Sequence, residues 1–376
     1  MKLDTARCWA EIDLSALEHN YRAIRARLPE GCRFLGVVKA DAYGHGALPA
    51  AGKLAELGAD YLAVAGLDEA EELRAGGVSL PVLILGRTDP AFTPRLAELE
   101  VTQTVASLAD AQAMSAALAG HGRVKVHLKL DTGMGRLGFR ADREEELAEA
   151  ARAMALPGLV PEGVFTHFAV SDELPGGGAY TREQFARFTA GVRFLEETSG
   201  KTFAIRHCAN SGAVLHYPEY ALDMARPGLL LYGLYPDPHP DGLELRPVMA
   251  VKARVCAVRH YAAGDTVSYG RTFRAEKPMT GAVIAMGYAD GLHRILSGRF
   301  SMLLHGRPAP QIGRICMDMC MVDITNIPEV CPGDVATVFG QDGAAFQPVE
   351  ALAEAAGTIS YELVCAMSRR VPRIYR

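Results

Sequence analysis

Up to residue 240, short apolar runs alternate with longer amphipathic segments rich in Ala, Leu, Glu and Arg. Runs that are apolar on both faces and bounded by turn residues read as buried parallel strands. The pattern predicts strands over 33–39, 61–65, 82–85, 101–105, 124–130, 161–167, 203–208 and 222–224. Helices are predicted over 47–57, 67–75, 108–118, 143–153, 182–198 and 211–216. Strands alternating with helices imply βα units and a parallel sheet, and eight such repeats over about 250 residues match a TIM-like (β/α)8 barrel. After Pro236-Asp237-Pro238-His239-Pro240-Asp241-Gly242, which reads as a linker, the texture changes. Runs at 249–258, 281–286, 301–304, 319–324 and 334–339 are short and turn-bounded, and a helical pattern returns only at 348–356. The expected fold class is therefore α/β: a barrel over residues 1–240, then a mainly β C-terminal domain over 241–376. An opening strand over 6–13 precedes the barrel pattern and is a candidate to pair with the second domain.

The totals narrow the function. A chain of 376 residues exceeds one ordinary core. With 49% hydrophobic and 22% charged residues and a net charge of −5, the composition is globular and offers no basic surface for nucleic acid. No apolar run reaches the ~20 residues of a membrane helix. The polar N-terminus lacks the apolar core of a signal peptide, so a cytoplasmic location is expected. The eight cysteines are scattered, read as thiols in a reducing compartment, and form no zinc-ligand pattern, so no metal is expected.

Barrel enzymes carry their chemistry at the C-terminal ends of the strands, and the polar motifs of this chain gather there. Lys39 ends one predicted strand; Gly86-Arg87, residues 131–136, His167, Asn210-Ser211 and Arg226-Pro227-Gly228 end or follow others. In Phe34-Leu35-Gly36-Val37-Val38-Lys39-Ala40-Asp41-Ala42-Tyr43-Gly44-His45-Gly46 an apolar run stops on a lysine. Burial favours the neutral amine, which is a nucleophile suited to Schiff-base chemistry. The plainer reading is a lysine snorkelling from a strand end. Asn210-Ser211-Gly212, where a strand turns into a helix, suits an anion, or is an ordinary N-cap. Arg226 is a permanent cation at the barrel end, or a salt-bridge partner there. Tyr269, in Thr266-Val267-Ser268-Tyr269-Gly270-Arg271-Thr272, has by itself the look of a packing residue.

Together with Asp131-Thr132-Gly133-Met134-Gly135-Arg136, Gly313-Arg314-Ile315-Cys316-Met317-Asp318, Tyr288-Ala289-Asp290-Gly291 and Ile359-Ser360-Tyr361-Glu362, these segments resemble the alanine racemase family, in family order and over nearly the whole chain. The resemblance also helps to set the count of eight barrel strands. It implies pyridoxal 5′-phosphate (PLP) as cofactor, carried on Lys39. Tyr43, Asn210, Ser211, Gly228 and Leu229 would hold the cofactor, with Leu85 and Tyr361 beside it. Arg226 would face the ring nitrogen, where a carboxylate stands in many PLP enzymes. An arginine cannot accept a proton bond from the ring nitrogen, so the ring stays a weaker electron sink, which suits a racemase. His167 would link Arg226 to a catalytic Tyr269. Lys39 and Tyr269 would be the two bases, one on each face of the substrate α-carbon.

Arg136, Met317 and Asp318 are implied for the substrate carboxylate, and Lys129 matches a position that is carbamylated in some members. Tyr288, Tyr361, Asp172, Arg294 and Arg314 would gate the entrance. The resemblance further implies a homodimer with shared sites, alanine as substrate and D-alanine for peptidoglycan as product. A barrel-type PLP decarboxylase and a non-catalytic PLP carrier are the alternatives. Arg226 argues against the first, and the second domain with Tyr269 and Met317 argues against the second.

Overall fold

The computed structural model describes residues 5–120, 122–236 and 242–376; residues 237–241 of the predicted linker lie outside them. The chain divides into two compact units. One comprises Leu17–Ala42 and Ala47–Arg246, the other Met1–Ala16, Tyr43–Gly46 and Pro247–Arg376.

After an opening strand β1 (Cys8–Ile12), the first unit holds β2 (Arg33–Val37), β3 (Tyr61–Val64), β4 (Val82–Ile84), β5 (Thr102–Val105), β6 (Val124–Asp131), a short β7 (Phe139–Arg140), β8 (Leu159–Phe165), β9 (Ile205–His207) and β10 (Met224–Ala225). The strand order is β10-β2-β3-β4-β5-β6-β8-β9, with β7 beside β6, and every pairing is parallel. The backbone bonds Asp223 N to Arg206 O (3.1 Å) and Arg226 N to Ala209 O (2.9 Å) bring β10 back to β9 and nearly close the ring. Strands β3, β4 and β5 are buried at every position, as barrel strands covered by helices must be. The inside is not wholly apolar: Gln103, Thr104, His127, Lys129, Thr166, His207 and Arg226 are all buried.

Helix bounds follow the 3.6-residue pattern closely, as at Leu67–Ala75, Leu108–Leu118 and Ser211–His216. Two helices, Leu14–Arg25 and Thr93–Glu98, were not anticipated. The first carries Asn20, fully buried, whose amide donates to Leu231 O (3.1 Å) and Arg246 O (2.8 Å) and accepts from Arg246 N (2.7 Å).

The second unit is mainly β. Its strands are β11 (Met249–Tyr261), β12 (Thr266–Val267), β13 (Phe273–Arg274), β14 (Met279–Ile284), β15 (Ser301–Leu304), β16 (Arg307–Ile312), β17 (Cys320–Asp323), β18 (Val335–Asp342), β19 (Ala345–Gln347) and β20 (Arg373–Tyr375). The order β19-β18-β15-β16-β17-β14-β11-β1-β20 carries an extra β18–β11 pairing, so the strands from β18 to β11 close on themselves. The opening strand β1 belongs to this sheet, antiparallel to β11 and parallel to β20. Strand β16 was not anticipated because Pro308 and Pro310 interrupt its pattern. It pairs with β15 over 307–310 and meets β17 only at Gln311 and Ile312, so the prolines sit where β16 has a free edge.

Replacing Asn20 with Ala strands buried carbonyl and N–H groups, so Asn20→Ala is expected to lower unfolding free energy by about 2–3 kcal/mol. Urea denaturation measures this, and an unchanged midpoint would show that these bonds do not anchor the helix.

Candidate active site at the C-terminal end of the barrel

Strand β2 stops at Val37, two residues before Lys39, because the chain then turns left-handed. Ala40, Asp41, Ala42 and Tyr43 all have φ between 52° and 55°. Such a conformation costs an L-residue roughly 1–2 kcal/mol, so other contacts must hold it. Glu69 supplies one: its Oε1 accepts from Ala40 N (2.7 Å) and its Oε2 from Ala65 N (2.6 Å), tying the turn to the end of β3. Asp41 Oδ1 accepts from Ala47 N (2.7 Å), and Ala42 N donates to Val38 O (2.9 Å). The Tyr43 phenol is pushed well above its usual pKa by burial, then by Tyr361 and Cys365. No Gly or Asn in Lys39-Ala40-Asp41-Ala42-Tyr43 announced a left-handed turn, and Glu69 lies on another element.

Arg226 follows β10 and is 4% exposed. Its Nη1 donates to His207 Nδ1 (3.0 Å); its Nη2 donates to Thr166 O (2.8 Å) and Cys208 O (3.2 Å) and reaches His167 Nδ1 at 3.4 Å. None of these partners is a carboxylate. Burial pulls the Arg226 pKa down to about 10, which leaves it charged at neutral pH. His167 and His207 are held well below the ordinary histidine value, by burial first and Arg226 second, so both are neutral. His167 sits two residues past β8, not at its last position.

Lys129, on β6, is 5% exposed and its Nζ lies 4.5 Å over the Phe165 ring. Burial, then Arg226 and Arg136, pull its pKa down to about 7. Asp131 ends β6 and accepts backbone N–H groups of Gly133 (2.9 Å), Gly135 (3.1 Å) and Arg136 (3.1 Å), so one buried carboxylate shapes the loop that carries Arg136. Gly138 (φ 124°) passes so close that a Cβ there would meet Lys129 Cγ at 2.7 Å.

Asn210 caps the Ser211–His216 helix, its Oδ1 accepting from Ala213 N (3.0 Å) and from Ser171 Oγ (2.8 Å). Ser211 Oγ accepts from Gly228 N (3.0 Å), which brings the 210–212 and 228–229 segments together. A Cβ on Gly212 would meet Ser171 Oγ at 2.8 Å and the backbone N of Asp172 at 3.0 Å, so this closely packed cradle requires glycine. Leu85 follows β4, its N bonded to Val64 O (2.9 Å). An amine at Lys39, a hydroxyl at 211, backbone N–H groups at 211 and 229 with the Gly228 N–H turned to Ser211 Oγ between them, and a buried cation at 226 make a donor set that suits a PLP aldehyde, phosphate and ring nitrogen.

The second unit gathers another set. Tyr269 is 69% exposed on a loop with Ser268, Gly270 and Arg271 at positive φ. Ser268 Oγ donates to Arg314 O (2.6 Å), and a Cβ on Gly270 would touch the Arg314 guanidinium at 3.4 Å. Tyr288 N donates to Cys316 O and Ala289 N to Met317 O, both at 3.0 Å. Tyr269, Tyr288, Arg314 and Met317 therefore share one loop cluster. The Asp318 carboxylate is held by Arg370 Nη2 (2.6 Å) and its carbonyl by Arg7 Nη1 (2.9 Å). Tyr361 lies against Tyr43, ring centroids 6.4 Å apart. Arg294 is exposed, and Asp172 belongs to the barrel unit.

The sequence reading missed His127, His207, Thr166 and Glu69. A signal existed for His127: in Val124-Lys125-Val126-His127-Leu128-Lys129-Leu130 it shares a strand face with Lys125 and Lys129, so three polar groups line one side of the strand.

The alanine racemase N-terminal domain family matches residues 12–236, and the alanine racemase C-terminal domain family matches residues 248–375. An alanine racemase of Desulfovibrio desulfuricans is 48% identical over 98% of this chain and 97% of its own length. The solved alanine racemase of Clostridium difficile 630 superposes with a TM-score of 0.93 at 38% identity, covering 99% of this chain and 96% of that one. The Bacillus anthracis alanine racemase, solved with bound L-Ala-P, gives a TM-score of 0.92 at 34% identity, covering 99% and 95%. With both domain families matched along the chain and a relative 48% identical over nearly its whole length, the chain belongs to the alanine racemase family.

Proposed function

We propose that the chain is a PLP-dependent alanine racemase that interconverts L- and D-alanine and supplies D-alanine for peptidoglycan. The observation that carries this reading is the buried Arg226, whose hydrogen-bond partners are carbonyls and neutral imidazoles on the barrel end where Lys39 also lies. A decarboxylase would want a carboxylate there.

When bound, the cofactor supplies an aldehyde for amines and a ring that withdraws electrons from the substrate α-carbon. Arg226 keeps the ring nitrogen unprotonated, because a guanidinium can only donate. Ser211, Gly228, Leu229 and Tyr43 would hold the phosphate, Asn210 holds the start of the helix that carries Ser211 through its cap, and Leu85 would line the cofactor site. Lys39 Nζ moves the α-proton on one face. The partner subunit's Tyr269 moves it on the other through its phenol oxygen, with His167 linking that phenol to Arg226. Arg136, the partner's Met317 and the partner's Asp318 would hold the substrate carboxylate. The partner's Tyr288, the partner's Arg294 and the partner's Arg314, with Tyr361 and Asp172, would narrow the entrance, so alanine is preferred over serine by the ~1–3 kcal/mol that a small extra group is worth.

A homodimer follows from this reading, because neither subunit then holds a complete site. The exposed apolar set Tyr269 (69%), Tyr288 (41%), Met317 (52%) and Met319 (43%) supports a covering partner. We place the enzyme in the cytoplasm; among the described residues no helix is long and apolar enough to cross a membrane. Lys129, with its pKa near 7, has a neutral amine fraction that carbon dioxide can carbamylate, and the resulting anion would pair with Arg136.

In D₂O, the PLP-loaded protein is expected to racemise L-alanine with α-deuterium incorporation and without pyruvate or amine. Tyr269→Phe should cut racemisation by about 10²–10⁴-fold while Lys39-side exchange of one enantiomer persists; symmetric loss of both exchanges would remove Tyr269 as a base. Mixing inactive Lys39→Ala and Tyr269→Ala subunits should restore about a quarter of the sites if sites are shared across a two-fold dimer. No recovery after verified subunit exchange would put each site within one chain. With ¹³C-bicarbonate, a carbamate carbon signal is expected and should vanish in Lys129→Met; its absence from the parent protein would leave Lys129 an amine.

A further inference from the structure

Behind Arg226 a chain of buried polar groups runs down the inside of the barrel. Arg226 Nη1 meets His207 Nδ1 at 3.0 Å, His207 Nε2 meets His127 Nδ1 at 2.8 Å, and His127 Nε2 meets Glu162 Oε2 at 3.3 Å. Glu162 closes the chain: Tyr61 O–H donates to its Oε2 and Lys125 Nζ to its Oε1 (2.6 Å). His127 and His207 are fully buried, while Lys125 is exposed.

The direction of every proton in this chain follows from its two ends. A guanidinium only donates, so His207 Nδ1 must present a lone pair, and the ring's one proton sits on Nε2. His127 Nδ1 must then accept, and its proton also sits on Nε2. That N–H needs an acceptor, and a carboxylate can only accept. Both rings are neutral: burial, with Arg226 adding to it, lowers both pKa values, even though Glu162 pulls His127 the other way. Burial pushes Glu162 up, but bonds from His127, Lys125 and Tyr61 overcome this and hold it near 2.

Ring rotation cannot relieve a misplaced proton. A Cβ on Gly163 would stand 2.7–2.8 Å from three atoms of the His127 ring, so this glycine exists to seat it. Phe165 stacks on His207 at 4.8 Å with planes 11° apart. The rings are fixed, and the tautomers are what remains to be set.

We propose that Glu162 is a positioning residue that, from the far end of the barrel interior, sets His127 and His207 in their Nε2–H tautomers and so keeps a lone pair facing Arg226. Remove the carboxylate, and His127 Nε2 loses its acceptor. The ring can then take a proton bond from Tyr61, whose ring centroid lies 6.2 Å away. That reverses the chain and turns His207 Nδ1–H against a guanidinium. The kinetic consequence rests on the reading of Arg226 as the ring-nitrogen partner; the tautomers do not.

The test is ¹⁵N NMR of the PLP-loaded enzyme with labelled histidine, compared with Glu162→Ala and Glu162→Gln. The parent should show protonated Nε2 and bare Nδ1 on both rings. Glu162→Ala should move a fraction of both rings to Nδ1–H and lower kcat by about 10- to 100-fold, in the range of lost supporting hydrogen bonds. Glu162→Gln, which keeps an acceptor oxygen, should restore the tautomers and most of kcat. An Nδ1–H ring in the parent, unchanged tautomers in Glu162→Ala, or Glu162→Gln matching Glu162→Ala would overturn the proposal; the parent spectrum keeps it falsifiable even if a variant fails to fold. Crossed tautomers with unchanged kcat and cofactor absorption would uphold Glu162's role and sink the reading of Arg226.

Discussion

A permanent positive charge buried without a counter-charge is the constraint around which the barrel interior is arranged. Removing a guanidinium from water is expensive, and proteins ordinarily offset that cost with a carboxylate. Arg226 has carbonyls, imidazole lone pairs and the face of Phe165, 5.4 Å away, instead. That choice propagates. Burial first, and this charge second, lower the neighbouring histidines and Lys129, so the groups nearest the charge are neutral or partly neutral. The charge also demands a directional chain of acceptors, which ends at a carboxylate only where Glu162 is stabilised by Lys125 and Tyr61.

A second constraint concerns placement. The strand that leads to Lys39 ends at Val37, and the backbone just beyond the lysine is left-handed. That turn, from Ala40 to Tyr43, carries an energetic cost, and the carboxylate of Glu69 and the side chain of Asp41 offset part of it. Strain of this kind persists only where surrounding bonds over-determine it. In the other unit the loop holding Tyr269 shows the same logic: positive φ at Ser268 and Arg271, fixed by a bond to Arg314 O. Both reactive side chains of the proposed mechanism thus stand on backbone that is costly to form and firmly held.

The hydrophobic pattern alone determined a good deal. Helices such as Leu67–Ala75 and Leu108–Leu118, and the alternation of strand and helix, could be read from period and run length, because burial of one face leaves that period in the residues themselves. Lys39, Arg226, Asn210 and Ser211 were legible as polar residues at the ends of apolar runs, and the motif resemblance named the family that the comparisons identify. Tertiary structure alone decided the rest. That β1 joins the second unit's sheet, that Glu69 clamps the turn after Lys39, and that His127, His207 and Glu162 line up behind Arg226 are all contacts between residues far apart in the chain. Periodicity reports which face of an element is buried; it carries no record of which distant donor meets which acceptor, and the charge in this barrel is managed by those meetings.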